Sequence, residues 1–421
     1  MRITITTAGS RGDVQPYVAL GLGLKEAGHE VRLATYTPFE GFVRGRGLGY
    51  HPITGDPDGI VADLIESGLN PVKFTRTFRR YFDSILERQL AEYDKACQNA
   101  DAVVYSPVGF LGQYIAEEMG LPAVGAVVQP LFSRTYRFPS SLLGRPPGGF
   151  LTGGPLGGFY NYLTYLAAEQ LFWQAMRPVS GEARKKLGLI PLPFFGPFAD
   201  MNQSRSPILH GWSPSVLPEP PEWGDWLCTT GYWFLDRSGW QPPDELIDFL
   251  DAGPAPVSVG FGSMNDADPE EITARVLEAL QRTGQRGLLL TGWGGISNTD
   301  LPDEVFKVDE IPYDWLFGQV RTAVHHGGAG TTAASLRAGV PTAVVPFFTD
   351  QAFWGWRVMT LGVGPEPIPR AKLSAERLAG AILAATNIGI REQARLLGEK
   401  IRTEDGVGRA VEAFHRLVVH A

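Results

Sequence analysis

Arg321-Thr-Ala-Val-His-His-Gly-Gly-Ala-Gly-Thr-Thr-Ala-Ala-Ser-Leu-Arg-Ala338 decides the fold of this chain. Arg321–Val324 reads as a strand that runs into His325 and His326. The turn formers Gly327, Gly328 and Gly330 follow, and Ala333, Leu336 and Ala338 then recur at helical spacing. Strand, Gly-containing turn and helix in this order build a parallel α/β sheet. Glycine lets the backbone approach an anion with no Cβ in the way. A helix start offers unpaired N–H groups and a positive dipole end, and Thr331 adds a hydroxyl. These features together predict a phosphate cradle. The alternative is that any tight strand-to-helix turn accepts glycine. Two of the chain's 7 His beside the loop weigh against it.

The same pattern occurs twice more, at Gly9–Gly12 and Gly260–Ser263. Residues 2–8 are β-branched and apolar. From Val14 the spacing turns helical until Gly28, and His29–Thr35 reads as a second strand. Further strands are expected at 101–106, 121–128 and 207–212, and again at 256–263, 286–291, 321–326 and 341–346. Four Pro, at 214, 218, 220 and 221, mark a linker between the two sets. The expected fold is α/β, with two Rossmann-like doubly wound domains facing across a cleft. The N-terminal domain is 1–215, the linker 216–235 and the C-terminal domain 236–400. Residues 401–421 form a last helix, with packing back on the N-terminal domain as an option. Ligands in such sheets bind at the carboxyl ends of strands. Residues 144–158 are nearly all turn formers ahead of a helix over Asn161–Met176, and read either as a lid or as a plain surface loop.

Composition narrows the function. The 421 residues carry a net charge of −8, which argues against a protein that coats a nucleic-acid backbone. Two Cys, Cys97 and Cys228, build neither a disulfide framework nor a Cys-based zinc site. The N-terminus lacks the apolar stretch of a signal peptide, and no apolar run approaches membrane-spanning length. With 51 Gly and 10 Trp, the chain suits tight backbone turns and large apolar pockets.

There is no Gly-x-x-x-x-Gly-Lys-Ser/Thr, and no Gly-x-Gly-x-x-Gly after the first strand. A P-loop nucleotidase is excluded, and a dinucleotide oxidoreductase is weakened. After the strand Thr342–Pro346 comes Asp350-Gln351, an acid beside an amide, which can clamp vicinal hydroxyls. Such a pair also caps helices. In register with the phosphate loop it predicts a nucleotide-sugar site. Asp56-Pro-Asp58 and Asp266-Ala-Asp268 suggest a metal, but Asp268 precedes Pro269-Glu270-Glu271 and reads as a helix cap. No metal is expected.

Ile311-Pro-Tyr-Asp-Trp-Leu-Phe317, the His325–Thr332 block and Pro346-Phe-Phe-Thr-Asp-Gln-Ala-Phe-Trp-Gly355 resemble the donor signature of family 1 glycosyltransferases, the UDP-glycosyltransferase superfamily with the GT-B fold. Gly9-Ser-Arg-Gly-Asp-Val-Gln-Pro16 resembles its bacterial natural-product and sterol branches. His51-Pro-Ile-Thr-Gly-Asp-Pro57 and Ser67-Gly-Leu-Asn-Pro71 look most like sterol 3β-glucosyltransferases. The resemblance implies donor contacts at Ser10, Arg11, Gly12, Gly262, Ser263, Val308, Ile311, His325, His326, Gly328, Ala329, Gly330, Thr331, Asp350 and Gln351. It puts His326 on the α-phosphate, Asp350-Gln351 on the sugar, and the base near Val308 and Ile311. It makes Asp13 the catalytic base. The competing reading of Asp13 is an N-cap for the helix from Val14.

The implied reaction is inverting, metal-independent transfer of a hexose. The donor is UDP-glucose or another UDP- or dTDP-sugar, and no cofactor is covalently bound. The acceptor is an apolar alcohol such as a sterol, triterpenoid or polyketide. Phe132, Tyr136, Phe138, Phe172 and Trp173 are candidates for its pocket. Alternatives are a sugar-nucleotide epimerase of the same architecture and an inactive lipid-binding homologue. No nucleic acid partner is expected. Lys73–Leu90, with Phe74, Phe78, Phe82 and Ile85 on one face and four Arg elsewhere, offers a peripheral membrane contact against the plainer reading of a helix packed on its domain. The expected location is cytoplasmic, with peripheral membrane association as an option.

Overall fold

A computed structural model describes residues 1–56, 71–143, 154–198, 201, 205–236, 239–261, 269–290, 301–308, 311–347 and 349–418. The chain divides into two compact units. The first holds Met1–Ser140, Pro146–Leu235 and Asp405–Ala421; the second holds Ser141–Arg145 and Asp236–Glu404.

The first unit alternates strand and helix. Its elements are β1 (Arg2–Thr6), α1 (Arg11–Glu26), β2 (Glu30–Tyr36), α2 (Glu40–Arg44), β3 (Gly49–Ile53), α3 (Pro71–Cys97), β4 (Ala102–Tyr105), α4 (Leu111–Met119), β5 (Ala123–Val127), α5 (Gly154–Lys186), β6 (Ile208–His210) and β7 (Leu227–Thr229). All pairings are parallel, in the order β3-β2-β1-β4-β5-β6-β7. Helices cover a parallel sheet, so its strands read as continuous apolar runs. All four residues of β4 are buried, and Ile3, Ile5, Leu33, Val103 and Val104 form the centre of the core.

One expectation needs correction. Segment 216–235 is part of the first unit and supplies β7; the prolines only shape the turn that precedes this strand. Trp233 and Leu227 bury themselves there, which holds the segment in place. The apolar face of α3 packs inward at Phe82, Leu86 and Leu90, while Arg76, Arg79, Arg80 and Arg88 are exposed. The side chains of Phe74 and Phe78 lie outside the described residues, as do residues 144–153 of the turn-rich segment. Both cysteines are buried free thiols.

The second unit contains α6 (Asp244–Asp251), β8 (Val257–Gly260), α7 (Pro269–Thr283), β9 (Gly287–Leu290), β10 (Val305–Val308), α8 (Tyr313–Leu316), β11 (Thr322–His325), α9 (Ala329–Ala338), β12 (Thr342–Val344), α10 (Thr349–Thr360), α11 (Ala375–Ala385) and α12 (Ile388–Arg402). Its parallel sheet has the order β10-β9-β8-β11-β12. The last helix, α13 (Gly406–Val418), belongs to the first unit and packs on α1. There Phe414 is fully buried and Val407 lies against Gly23.

In both sheets the chain order reverses at the middle, between β1 and β4 and between β8 and β11. Connections from neighbouring strands leave in opposite directions there and open a crevice at the strands' carboxyl ends. Gly109 keeps the first of these closed at its base. A Cβ on it would sit 2.2 Å from the Thr6 carbonyl oxygen, and the Thr6 hydroxyl donates to the Gly109 carbonyl at 3.0 Å. Gly109→Ala therefore has to push the ends of β1 and β4 apart. We expect a loss of about 1–3 kcal/mol in urea unfolding, with a lowered midpoint and an unchanged slope.

Candidate functional site

The carboxyl end of β1 turns through Gly9 at φ +102° into α1. A Cβ on Gly9 would lie 2.5 Å from Asp13 Oδ2, so the turn needs both the left-handed backbone and the missing side chain. The cap of α1 is Ser10, not Asp13, because the helix begins at Arg11. Asp13 stands in the first turn and reaches back. The Ser10 N–H and Oγ–H donate to Asp13 Oδ2 at 2.8 and 2.9 Å. The Thr7 hydroxyl donates to the Asp13 carbonyl at 2.7 Å. Both carboxylate bonds fall on Oδ2, which leaves Oδ1 as the accepting oxygen. Burial raises the Asp13 pKa above the ordinary aspartate value, and the two Ser10 bonds oppose the rise. The result is an oriented carboxylate of raised basicity. Arg11 and Gly12 are exposed, and the Arg11 guanidinium lies 5.1 Å from the centre of the Phe42 ring.

At the second crevice, β11 delivers His325 and His326, which have different surroundings. His325 is buried; its Nδ1 accepts from the Gly327 N–H at 3.0 Å, and its Nε2 faces Ser335 Oγ at 3.3 Å. Burial and the neighbouring His326 pull its pKa down to about 3. This ring braces the loop from beneath. His326 is only partly buried, yet its Nδ1 is sealed from solvent and meets no partner. Its pKa falls to about 4 through burial, so the ring is neutral at pH 7.

Gly327, at φ +91°, lies so close to its surroundings that a Cβ would approach Val344 Cγ1 to 2.5 Å and the Gln351 carbonyl oxygen to 2.9 Å. Gly328 has an ordinary φ of −59° but supports the His326 ring: a Cβ would meet Nε2 at 2.4 Å. The first helical bond of α9 is Thr332 N–H to the Gly328 carbonyl at 2.9 Å. The N–H groups of Ala329, Gly330 and Thr331 therefore remain for a ligand. Three N–H groups, a helix dipole and a neutral imidazole thus meet at this loop, an arrangement with the chemistry to receive an anion.

Asp350 and Gln351 open α10 beside this loop. Gln351 is buried, and its side-chain oxygen accepts from the Phe347 N–H at 2.8 Å. That bond holds the β12–α10 turn, while Asp350 is partly buried. Val308 and Ile311 are buried in an apolar cluster with Leu246, Leu316 and Phe317. Gly262 and Ser263 lie outside the described residues, as do Asp58, Asp266 and Asp268.

Of the aromatic candidates, Phe138 and Trp173 are buried. Phe138 meets Trp223 edge-on, and Trp173 Nε1 donates to the Phe194 carbonyl at 2.8 Å. Phe132 packs on Phe172 and Phe198, both at 5.0 Å, and exposed Tyr136 stacks on Tyr162 at 4.8 Å. The cavity at Phe132, Phe198 and Met201 is about 20 Å³, room for about one water.

Thr7 and Ser335 support the two loops and were not anticipated. A polar side chain at an inward position of an otherwise apolar helix face, as Ser335 is in α9, was the available signal.

Two family models match the chain. One describes a glycosyltransferase family 28 N-terminal domain and covers residues 3–135. The other describes an erythromycin biosynthesis protein CIII-like C-terminal domain and covers residues 294–404. Sterol 3-beta-glucosyltransferase UGT80B1 of Arabidopsis thaliana is 38% identical over 429 residues, covering 99% of this chain and 68% of that protein. A sterol 3-beta-glucosyltransferase of Cryptococcus neoformans is 38% identical over 451 residues, covering 100% of this chain. The chain spans only 27% of that fungal protein's length, and 30% of the Emericella nidulans relative. Among solved structures, the glycotransferase of kitacinnamycin superposes with TM-score 0.72 at 18% identity, covering 99% of each chain. VinC in complex with DTDP superposes with TM-score 0.69 at 18% identity, covering 100% of each chain. The fold is GT-B.

The two histidines should separate in mutagenesis. His326→Ala is expected to weaken UDP binding by roughly tenfold to a hundredfold, the worth of a hydrogen bond to a charged group, with stability unchanged. His325→Ala leaves Ser335 and the Gly327 N–H unpaired, and should cost about 1–3 kcal/mol of stability. Calorimetric titration with UDP and urea unfolding of both variants distinguish the roles.

Proposed function

The chain belongs to the family of the sterol 3-beta-glucosyltransferases, and from that premise we propose that it transfers glucose from UDP-glucose to the hydroxyl of an apolar alcohol, a sterol in the first instance. The observation that carries this reading is the cradle at Gly327–Thr331. It combines three N–H groups without helical partners with a buried, unpaired His326 Nδ1 and two positions, Gly327 and Gly328, where a Cβ does not fit. This arrangement suits a diphosphate held by neutral donors.

In the proposed reaction Asp13 Oδ1 accepts the proton of the acceptor hydroxyl. The acceptor oxygen bonds to the sugar C1 from the face opposite the leaving group. The bond from C1 to the diphosphate oxygen breaks, and UDP departs with the electron pair. Inversion at C1 follows from a single displacement. The charge that develops on the diphosphate meets the Ala329, Gly330 and Thr331 N–H groups, which are already oriented and need no reorganisation. His326, neutral at pH 7, adds a ring N–H. Asp350 is assigned to the sugar hydroxyls, and Gln351 to holding Asp350's turn through Phe347. The nucleotide base is assigned to the backbone near Val308 and Ile311, whose side chains are already committed to packing.

The test is Asp13→Asn with UDP-glucose and dTDP-glucose offered to a sterol in detergent. Loss of the base should lower kcat by at least about 100-fold while UDP affinity is retained. Deprotonated Asp13 is the active form, so kcat/KM of the native enzyme should fall as pH drops through its raised pKa. That acid limb should vanish in the variant. Full turnover by Asp13→Asn would remove the base assignment, and a C1 proton that is equatorial in UDP-glucose and axial in the product NMR spectrum would report inversion.

A further inference from the structure

His29 and His415 meet where α13 lies on α1, and neither belongs to the donor loop or to the Asp13 turn. Their Nε2 atoms are 2.6 Å apart, and the ring centres are 4.9 Å apart at 60°. His29 follows the end of α1. Gly28, at φ +89°, donates its N–H to the Lys25 carbonyl, and the His29 N–H donates to the Leu24 carbonyl at 3.1 Å. That cap fixes the ring against α13, where it also meets the Phe414 ring edge-on at 6.3 Å. Its other ring nitrogen, Nδ1, lies 3.3 Å from the Met1 amino group. His29 is partly buried and His415 is exposed.

The apolar side of α13 docks through Ala410, Val411, Phe414 and Leu417. At its rim are two polar contacts, His415 on His29 and Arg416, which donates to Cys228 Sγ at 3.1 Å. Of these residue types, only histidine ordinarily changes charge between about pH 5 and pH 8. A hydrogen bond from Nε2 to Nε2 needs a proton on one ring nitrogen and none on the other. The partners assign that proton. The Met1 ammonium donates to His29 Nδ1, so His29 carries its own proton on Nε2 and gives it to His415 Nε2. His415 then holds its proton on Nδ1. A further proton has two places to go. On His29 Nδ1 it confronts the Met1 ammonium, and on His415 Nε2 it confronts the His29 N–H. Either position breaks a contact that holds the rings together.

The neighbouring charges do not relieve this conflict. On α1, Lys25 donates to the Gly47 carbonyl at 2.7 Å, and Glu26 is exposed. Arg2 of β1 pairs with Asp101 at 3.4 Å. Glu30 on β2 and Glu412 on α13 are exposed. Among the described residues no carboxylate forms an ion pair with either ring. Burial first, and then the Met1 ammonium and the adjacent His415, hold the His29 pKa below the ordinary 6.5. The folded chain therefore binds fewer protons than the unfolded one. The stability that this contact adds is complete above about pH 6.5 and is lost as pH falls through the depressed value.

We propose that His29 and His415 are a proton-sensitive clasp, which holds α13 on α1 at neutral pH and lets it loosen in mild acid. Loosening uncovers the α1 surface around Gly23, where Val407 packs, in the helix whose first turn holds Asp13. The clasp does not depend on which reaction the chain catalyses.

The test is hydrogen exchange, read by mass spectrometry, on the full chain between about pH 8 and pH 5.5, with rates corrected for the chemical exchange rate at each pH. Helix α4, in the same unit and without either histidine, is the reference. Protection of α13 relative to α4 should fall by about fivefold or more, the worth of one net hydrogen bond. His415→Gln keeps a hydrogen-bonding side chain that does not titrate, and should cut that change to less than about twofold. His29→Gln should do the same from the other side, and serves if the first variant does not fold. Native α13 whose relative protection stays constant with pH would overturn the proposal. So would variants that lose protection as steeply as the native. Equal loss in α13 and α4 also overturns it, since the acid would then act on the unit as a whole.

Discussion

An anion can be held without a cation only if backbone N–H groups come close to it, and close approach leaves no room for Cβ atoms. That steric limit governs the second unit. Gly327 is pressed between Val344 and the Gln351 carbonyl, and Gly328 lies beneath the His326 ring. The β11–α9 loop and the β12–α10 turn are thus fitted to each other, and His325, Ser335 and Gln351 spend their hydrogen bonds keeping them so. The glycine content of the chain is in part the visible trace of this limit.

Burial also sets the protonation states. It moves His326 to neutrality and Asp13 toward protonation. The two shifts have one cause and opposite uses. A neutral imidazole can donate one hydrogen bond to a phosphate and take no part in charge balance. A carboxylate of raised pKa is a better proton acceptor than an exposed one. Ser10 keeps the second shift within bounds by stabilising the charged form.

Much of this was legible in residue order. The doubly wound pattern followed from alternating apolar runs and Gly-containing turns, and the tight strand-to-helix turn at Gly327–Gly330 from its glycines. What escaped had physical reasons. β7 hides behind prolines that only shape its preceding turn, and β10 is four residues long with Lys307 inside it. In a parallel sheet covered on both faces, alternation carries no inside-outside contrast. The sequence therefore does not say which of two adjacent histidines braces the loop and which faces it. Ser10 and Asp13, three residues apart, are equally good caps on paper; only the helix start at Arg11 separates them.

The return of α13 to the first unit has a consequence for biosynthesis. The ribosome makes β1 and α1 before the second unit, but their partner Phe414 emerges only after all of Asp236–Glu404 has been translated. The second unit is nearly continuous in sequence and can close while still tethered to the ribosome. The first must wait, with the α1 surface around Gly23 uncovered, until Gly406–Val418 has emerged as well. Order of synthesis and order of completion are therefore reversed, and the unit that bears Asp13 is the last to become whole.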